Sequence, residues 1–268
     1  MLRVPVFADP GLPNRGKCGK MIAKTTGDAH TEGTEEMAER IGIIGAMEEE
    51  VTTLIPALED RAEKRIGIVN YYTGKLDGKE VVIAKSGVGK VNAALTAAEM
   101  IRTFGAKIVI NTGVAGALDP SLDPEDAVIA EDLVQHDYST APLGDPPGRV
   151  SGVDLVHIPA DPAIADAAEK AAKELGVRRV LRGTVASGDQ FISDAAKKEW
   201  IRKTFGALAC EMEGAAIAHA CYLLGVRCAV IRSISDRADG EADVDFPTFA
   251  AHAAALNAKI VRKVIASF

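Results

Sequence analysis

The sequence predicts a single α/β domain, and three observations predict it. Short runs rich in Val and Ile alternate with longer Ala-rich stretches of helical period. Glycines gather where one kind of segment passes into the other. Apolar residues make up 47% of the 268 positions but aromatic residues only 4%, a composition that suits helices packed closely on a sheet. A chain of this length can bury one large core.

Residues 1–38 stand outside that pattern. Pro5, Pro10, Gly11, Pro13, Gly16, Gly19 and Gly27 precede a polar run at 31–36, and no hydrophobic period persists through them. They are expected to form a disordered N-terminal extension, which leaves 39–268 as the folded domain. The extension lacks the continuous apolar core of a secretory signal, and its acidic residues do not suit a transit peptide. Met21 and Met37 are both candidate starts of translation.

From Ile41 the pattern is regular. The run Ile41-Gly42-Ile43-Ile44-Gly45 predicts a strand over 41–46, and the acidic residues after it open a helix over 48–59. Strands are expected at 66–74 and 80–86. The helix at 90–104 sets Val91, Ala94, Leu95, Ala98 and Ile101 on one side. Ile108-Val109-Ile110 reads as a strand, 107–112, buried on both faces. A strand at 126–138 leads into a Pro/Gly-rich loop, 141–152. A helix at 162–175, a strand at 179–187 and a helix at 194–204 follow. Ala207, Leu208 and Ala209 predict a strand at 207–210, followed by an Ala-rich helix at 213–224. Cys228-Ala229-Val230-Ile231 sits in a strand at 227–234, and the last helix spans 246–266. There is no internal repeat.

Charge and cysteine usage exclude several classes. A net charge of −7 leaves no basic stripe for a nucleic-acid backbone. No apolar run approaches the roughly 18 residues a membrane helix needs. Cys18, Cys210, Cys221 and Cys228 form no CxxC pair, and the last three fall in segments expected to be buried. A reducing, cytoplasmic setting is the simplest reading. The five His residues form no metal motif, so neither metal nor cofactor is expected.

The chemistry is concentrated at strand ends, where α/β proteins place their sites. The first strand runs into Glu48-Glu49-Glu50, the strand at 207–210 into Glu211-Met212-Glu213, and the strand at 227–234 into Asp236. Each carboxylate alone is explained by a helix N-terminus, and three on one turn cannot all face a pocket. Their joint placement suggests an acid/base site without a metal. Three glycine-bearing turns stand beside them. Gly42–Gly45 is not GxGxxG, and its acidic neighbours would repel a pyrophosphate. Gly87-Val88-Gly89-Lys90-Val91 lacks the first Gly of a P-loop and its Ser/Thr, so it reads as a strand-to-helix turn with Lys90 solvated. Asn111-Thr112-Gly113-Val114-Ala115-Gly116 fits either close approach of a flat ligand or tight helix–strand packing.

Taken in order, Ile41–Val51, Ser86–Val91, Asn111–Gly116, Ser187-Gly188-Asp189-Gln190-Phe191-Ile192, Glu211-Met212-Glu213 and Arg232-Ser233-Ile234-Ser235-Asp236 closely resemble the 5′-methylthioadenosine/S-adenosylhomocysteine nucleosidases. The resemblance covers about 40–266. It implies a single domain of the nucleoside phosphorylase fold, with a mixed central β-sheet flanked by helices, acting on 5′-thioadenosine nucleosides as a homodimer. Glu50 would activate water and Asp236 would protonate adenine N7. Glu213 would hold the ribose hydroxyls, with Met212 against the sugar. Phe191 and the backbone of Ile192 would line the adenine site near Gly116. Arg232 would position water or orient the acidic groups. Phe246 would lie near the 5′ end, and Met47, Val88, Ala115 and Ser235 complete the implied lining. Many relatives carry Ser where this chain has Val114, which removes one possible hydrogen bond near the ribose. The stretch from Gln135-His136-Asp137-Tyr138 to Pro147 would shape the 5′ pocket or the dimer contact. The alternatives are a hydrolase for another 5′-modified adenosine (5′-deoxyadenosine or aminodeoxyfutalosine), a phosphorylase, or an inactive nucleoside sensor. A nicotinamide oxidoreductase fits least.

Overall fold

The computed structural model describes residues 39–238 and 242–268, so the expected extension 1–38, with Cys18, Met21 and Met37, lies outside the described residues. In chain order the strands are β1 (Arg40–Gly45), β2 (Glu59–Ile66), β3 (Val69–Leu76), β4 (Lys79–Lys85), β5 (Ala106–Ala117), β6 (Ala127–Gln135), β7 (Ile158–Pro159), β8 (Val180–Ser187), β9 (Ala209–Glu211) and β10 (Arg227–Asp236). The helices are α1 (Glu48–Val51), α2 (Lys90–Phe104), α3 (Pro162–Glu174), α4 (Ala195–Phe205), α5 (Gly214–Leu224) and α6 (Ala242–Ile265).

One mixed sheet holds these strands together. β1 pairs in parallel with β4 on one side and β5 on the other, and β3 and β2 extend the sheet antiparallel beyond β4. β5 is long enough to serve two structures. Its first half pairs with β1 up to Asn111, and its end pairs with β9 at Gly116 and Ala117. On its other edge it pairs with β10, and the series β10–β6–β8–β9–β5 closes on itself. Closure removes the exposed edges that such short strands would otherwise leave.

Helices cover both faces. α2 and α5 bury Ala93, Ala97, Met100, Ala215, Ile217 and Cys221 against one face. α1, α3 and α6 bury Val51, Ile164, Ala168, Ile260, Val261 and Val264 against the other. The small side chains of these helices set the close approach that the composition predicted. Cys210, Cys221 and Cys228 are buried free thiols, and Ile108, Val109 and Ile110 are buried as the continuous apolar run implied. On α6 the fully buried Asn257 donates to the carbonyls of Gly113 and Ile231 and accepts from the Ser233 hydroxyl. It ties the last helix to β5 and β10 where both enter the cavity described below.

The structure corrects the expected elements in four places, the first being β5, which continues to Ala117 where the strand was expected to end at 112 and a glycine turn to follow. The helix expected over 48–59 is one short turn, because β-branched Thr52 and Thr53 and then Pro56 oppose its continuation. Leu54 and Leu58 are buried all the same. The strand expected at 66–74 is largely β3, and the strand before it, β2, was not expected; Gly67 at φ +61° turns the chain between the two. β2 is almost wholly charged and exposed, so it carries no hydrophobic alternation to read; charge on an edge strand discourages pairing with other chains. The two-residue β7 was not anticipated. Among the described residues no helix is long and apolar enough to cross a membrane.

Candidate active site

The ends of five strands converge on one cavity of about 410 Å³ with a largely apolar wall. The short α1 turn after β1 brings Met47 and Glu50, the end of β5 brings Val114, Ala115 and Gly116, and the end of β10 brings Ser235 and Asp236. Met212 and Glu213 come from the turn between β9 and α5, and Gln190, Phe191 and Ile192 from the loop after β8. Val88 and Phe246 close the rim, with the Phe246 ring edge-on to Phe191 at 5.8 Å. Of the residues expected at the site, only Arg232 is absent from this lining; it lies buried behind the wall.

Of the three acidic residues after β1, Glu50 alone turns inward. Glu48 is exposed and pairs with Lys85 at 2.7 Å. Glu50 folds back over its own turn, where Oε2 accepts the N–H groups of Ala46 (2.6 Å) and Met47 (3.0 Å). Its Oε1 accepts the Val114 N–H at 3.1 Å. Burial pushes the Glu50 carboxyl above the usual carboxylate range, although Arg232 and these three N–H groups pull the other way.

Glu211 and Glu213 divide their work. Glu211 Oε2 accepts the N–H groups of Glu213 (2.9 Å) and Gly214 (2.7 Å), and so satisfies backbone donors at the start of α5. It also pairs with Arg232 and accepts from the Ser187 hydroxyl. Glu213 has fewer obligations: Oε1 accepts the Gly89 N–H at 2.9 Å, and Arg232 is 3.9 Å from Oε2. Burial and the neighbouring Glu211 charge push the Glu213 carboxyl up, to about 7. Asp236 accepts the Ser235 hydroxyl at 2.8 Å and the Ala238 N–H at 2.8 Å, and is itself almost fully buried.

Arg232 is the largest fully buried side chain. Besides Glu211 it donates to Asn111 Oδ1, and Asn111 is oriented by its own donation to the Ile44 carbonyl at 2.9 Å. Two glycines make this crowding possible. A Cβ on Gly113 would stand 2.4 Å from Glu50 Oε1 and 2.3 Å from Arg232 Nη1, and one on Gly116 would stand 2.8 Å from Asp236 Oδ1. In Asn111–Gly116 these two glycines therefore make room for the side chains of Glu50, Arg232 and Asp236. Lys90, read as solvated, is instead largely buried and paired with Asp137 at 2.6 Å. Sequence reasoning missed the pairing of Glu211 with Arg232 and the roles of Asn111 and Ser187. The one available signal was Glu211 itself, two residues from Glu213.

The Phosphorylase superfamily model matches residues 40–266. An aminodeoxyfutalosine nucleosidase of Campylobacter jejuni is 41% identical over 84% of this chain and 97% of its own length. A 5′-methylthioadenosine/S-adenosylhomocysteine nucleosidase of Anoxybacillus flavithermus is 40% identical over 84% and 97%. Among solved structures, the 5′-methylthioadenosine/S-adenosylhomocysteine nucleosidase of Neisseria meningitidis with methylthio-immucillin-A superposes with a TM-score of 0.83 at 38% identity, covering 86% of this chain and all of that one.

The raised Glu213 carboxyl has a consequence for stability. A carboxyl whose folded pKa exceeds its unfolded value of 4.5 favours the folded state most at low pH, and that support is lost as pH rises toward about 7. Glu213→Gln is therefore expected to gain thermal stability relative to the unaltered protein as pH rises from 4.5 to about 7, and to hold that gain above it. A melting-temperature difference that stays flat across this window would contradict the assignment.

Proposed function

The chain belongs to the phosphorylase superfamily and, within it, to the 5′-methylthioadenosine/S-adenosylhomocysteine nucleosidases, and from that membership and the cavity we propose its reaction and the residues that carry it. It hydrolyses the N-glycosidic bond of 5′-methylthioadenosine and S-adenosylhomocysteine, releasing adenine and the thiosugar. The observation that carries this reading is that Glu50, Glu213 and Asp236, far apart in sequence, line one apolar cavity.

Adenine is a poor leaving group as an anion, and a proton on N7 lets it leave neutral. Asp236 supplies that proton, with Ser235 and the Ala238 N–H fixing its carboxyl. As the bond from C1′ to N9 stretches, positive charge develops on the sugar, and the buried carboxylates stabilise it in a site of low dielectric. Glu50 takes the proton of the attacking water, and its raised carboxyl makes it a better base than an exposed glutamate. One acid and one base flanking the glycosidic bond, with room for water, is the logic of an inverting glycosidase. Glu213 accepts the ribose hydroxyls, and Met212 packs on the sugar. Phe191 and the Ile192 backbone hold the base beside Ala115 and Gly116. Met47, Val88, Val114 and Phe246 form an apolar end for the 5′ substituent. Arg232 orients the carboxylates from behind.

Water, rather than phosphate, suits this site. No Lys or Arg lines the cavity among the described residues, and a phosphate dianion would meet the Glu50 carboxylate. The 41% identity to the aminodeoxyfutalosine nucleosidase supports a second reading, in which aminodeoxyfutalosine is the substrate; relative kcat/KM on the candidate nucleosides decides between them. The active form is a homodimer in a reducing cytoplasm, serving salvage of the methionine-derived thiosugar. Exposed Val91 and Leu95, one turn apart on α2, and Leu223 on α5 support the dimer. A fully active monomer by light scattering would contradict it.

The functional test is product analysis with 5′-methylthioadenosine in phosphate-free buffer. Adenine and methylthioribose should appear at the same rate with and without phosphate. Asp236→Asn and Glu50→Gln should each lower kcat by about 100-fold to 10,000-fold, the range of general acid–base contributions. The acid limb of kcat/KM should lie above pH 4.5, because Glu50 must be ionised. Strict dependence on phosphate would overturn the hydrolase.

A further inference from the structure

Three segments that meet outside the cavity form a closed hydrogen-bonded ring. Asp137, just beyond β6, accepts Lys90 Nζ on Oδ1 at 2.6 Å and the Asp189 N–H on Oδ2 at 2.8 Å. Asp189, just beyond β8, in turn accepts the Lys90 N–H on its own Oδ1 at 2.8 Å. Lys90 Nζ also donates to Gln135 Oε1 at 3.3 Å. Burial would raise the Asp137 carboxyl, but the Lys90 ammonium and the Asp189 N–H outweigh it and hold it below the usual range.

The ring sits beside two parts of the cavity wall. Gly89, next to Lys90, gives its N–H to Glu213, and Val88 before it lines the rim. Gln190, Phe191 and Ile192 follow Asp189 directly and also line the cavity. Both segments are loops after strand ends, and among the described hydrogen bonds the ring alone joins them side to side.

We propose that Asp137 is a positioning residue: through Lys90 and Asp189 it fixes the Gly89 donor on Glu213 and the Phe191 wall in the spacing that nucleoside binding needs. The inference rests on the nucleoside reading of the cavity. Breaking the ring loosens substrate contacts without touching the acid or the base, so it acts on binding more than on the chemical step. A charged, largely buried pair also resists exchange with water better than an exposed one, which suits a fixed brace rather than a moving lid.

The test compares Asp137→Ala, Lys90→Met and Lys90→Arg in the intact protein. KM and kcat are measured for 5′-methylthioadenosine, with hydrogen–deuterium exchange of the peptides spanning 86–92 and 188–193 and the melting temperature alongside. Asp137→Ala and Lys90→Met should raise KM by about tenfold to 100-fold, the worth of one hydrogen bond to a charged group, with a much smaller change in kcat. Both peptides should exchange faster, and Lys90→Arg should stay near the unaltered KM. Unchanged KM and exchange in Asp137→Ala would overturn the proposal. So would a fall in kcat that merely follows a lower melting temperature. If the unaltered protein turned over no 5′-modified adenosine, the functional reading alone would fall, and peptide exchange would still decide the ring.

Discussion

The arrangement of carboxylates in this protein depends on one buried cation. Arg232 lies with its guanidinium fully out of water, which is tolerable only with partners of matching geometry. Glu211 and Asn111 supply them, and each is fixed by a second contact, Glu211 by the start of α5 and Asn111 by the Ile44 carbonyl. Glu50 and Glu213 then lie within the field of Arg232 without pairing closely to it. They stay ionisable while burial makes them more basic than exposed carboxylates. Gly113 is the steric condition for all of this, since any side chain there would occupy the space between Glu50 and Arg232.

This division explains how one site holds several acidic groups at once. Glu211 is committed to structure, neutralising Arg232 and capping α5. Glu213 accepts one backbone N–H and lies 3.9 Å from Arg232. Glu50 is held by three backbone N–H groups that orient it without neutralising it. Asp236 stands apart on β10, beside a hydroxyl and a backbone N–H. Each carboxylate thus has its own set of partners, and burial raises two of them, Glu50 and Glu213.

Much of this was legible in the sequence, and the reasons differ by element. α2 was readable because its apolar positions recur at helical spacing, and the first half of β5 because of its continuous Ile/Val run, whereas its glycine-bearing second half read as a turn. β2 was not, because an exposed charged edge carries no alternation. α1 was overextended because its acidic opening resembles any helix start, while the β-branched residues and Pro56 that end it act later. Glu50, Glu213 and Asp236 were marked by their places after strands. The polar network around them was hidden because Arg232 meets Asn111 across 121 residues of sequence and Lys90 meets Asp137 across 47. A short motif cannot encode contacts of that range, and Lys90 read as solvated for that reason.

The central claim, that Asp236 and Glu50 work from opposite sides of one bound nucleoside, is tested most directly by a crystal structure of the Asp236→Asn protein with 5′-methylthioadenosine. The account predicts adenine N7 within hydrogen-bond reach of residue 236, ribose hydroxyls on Glu213, and a water between Glu50 and C1′. A nucleoside bound with its base toward Glu50, or with Glu50 out of reach of any water near C1′, would contradict it.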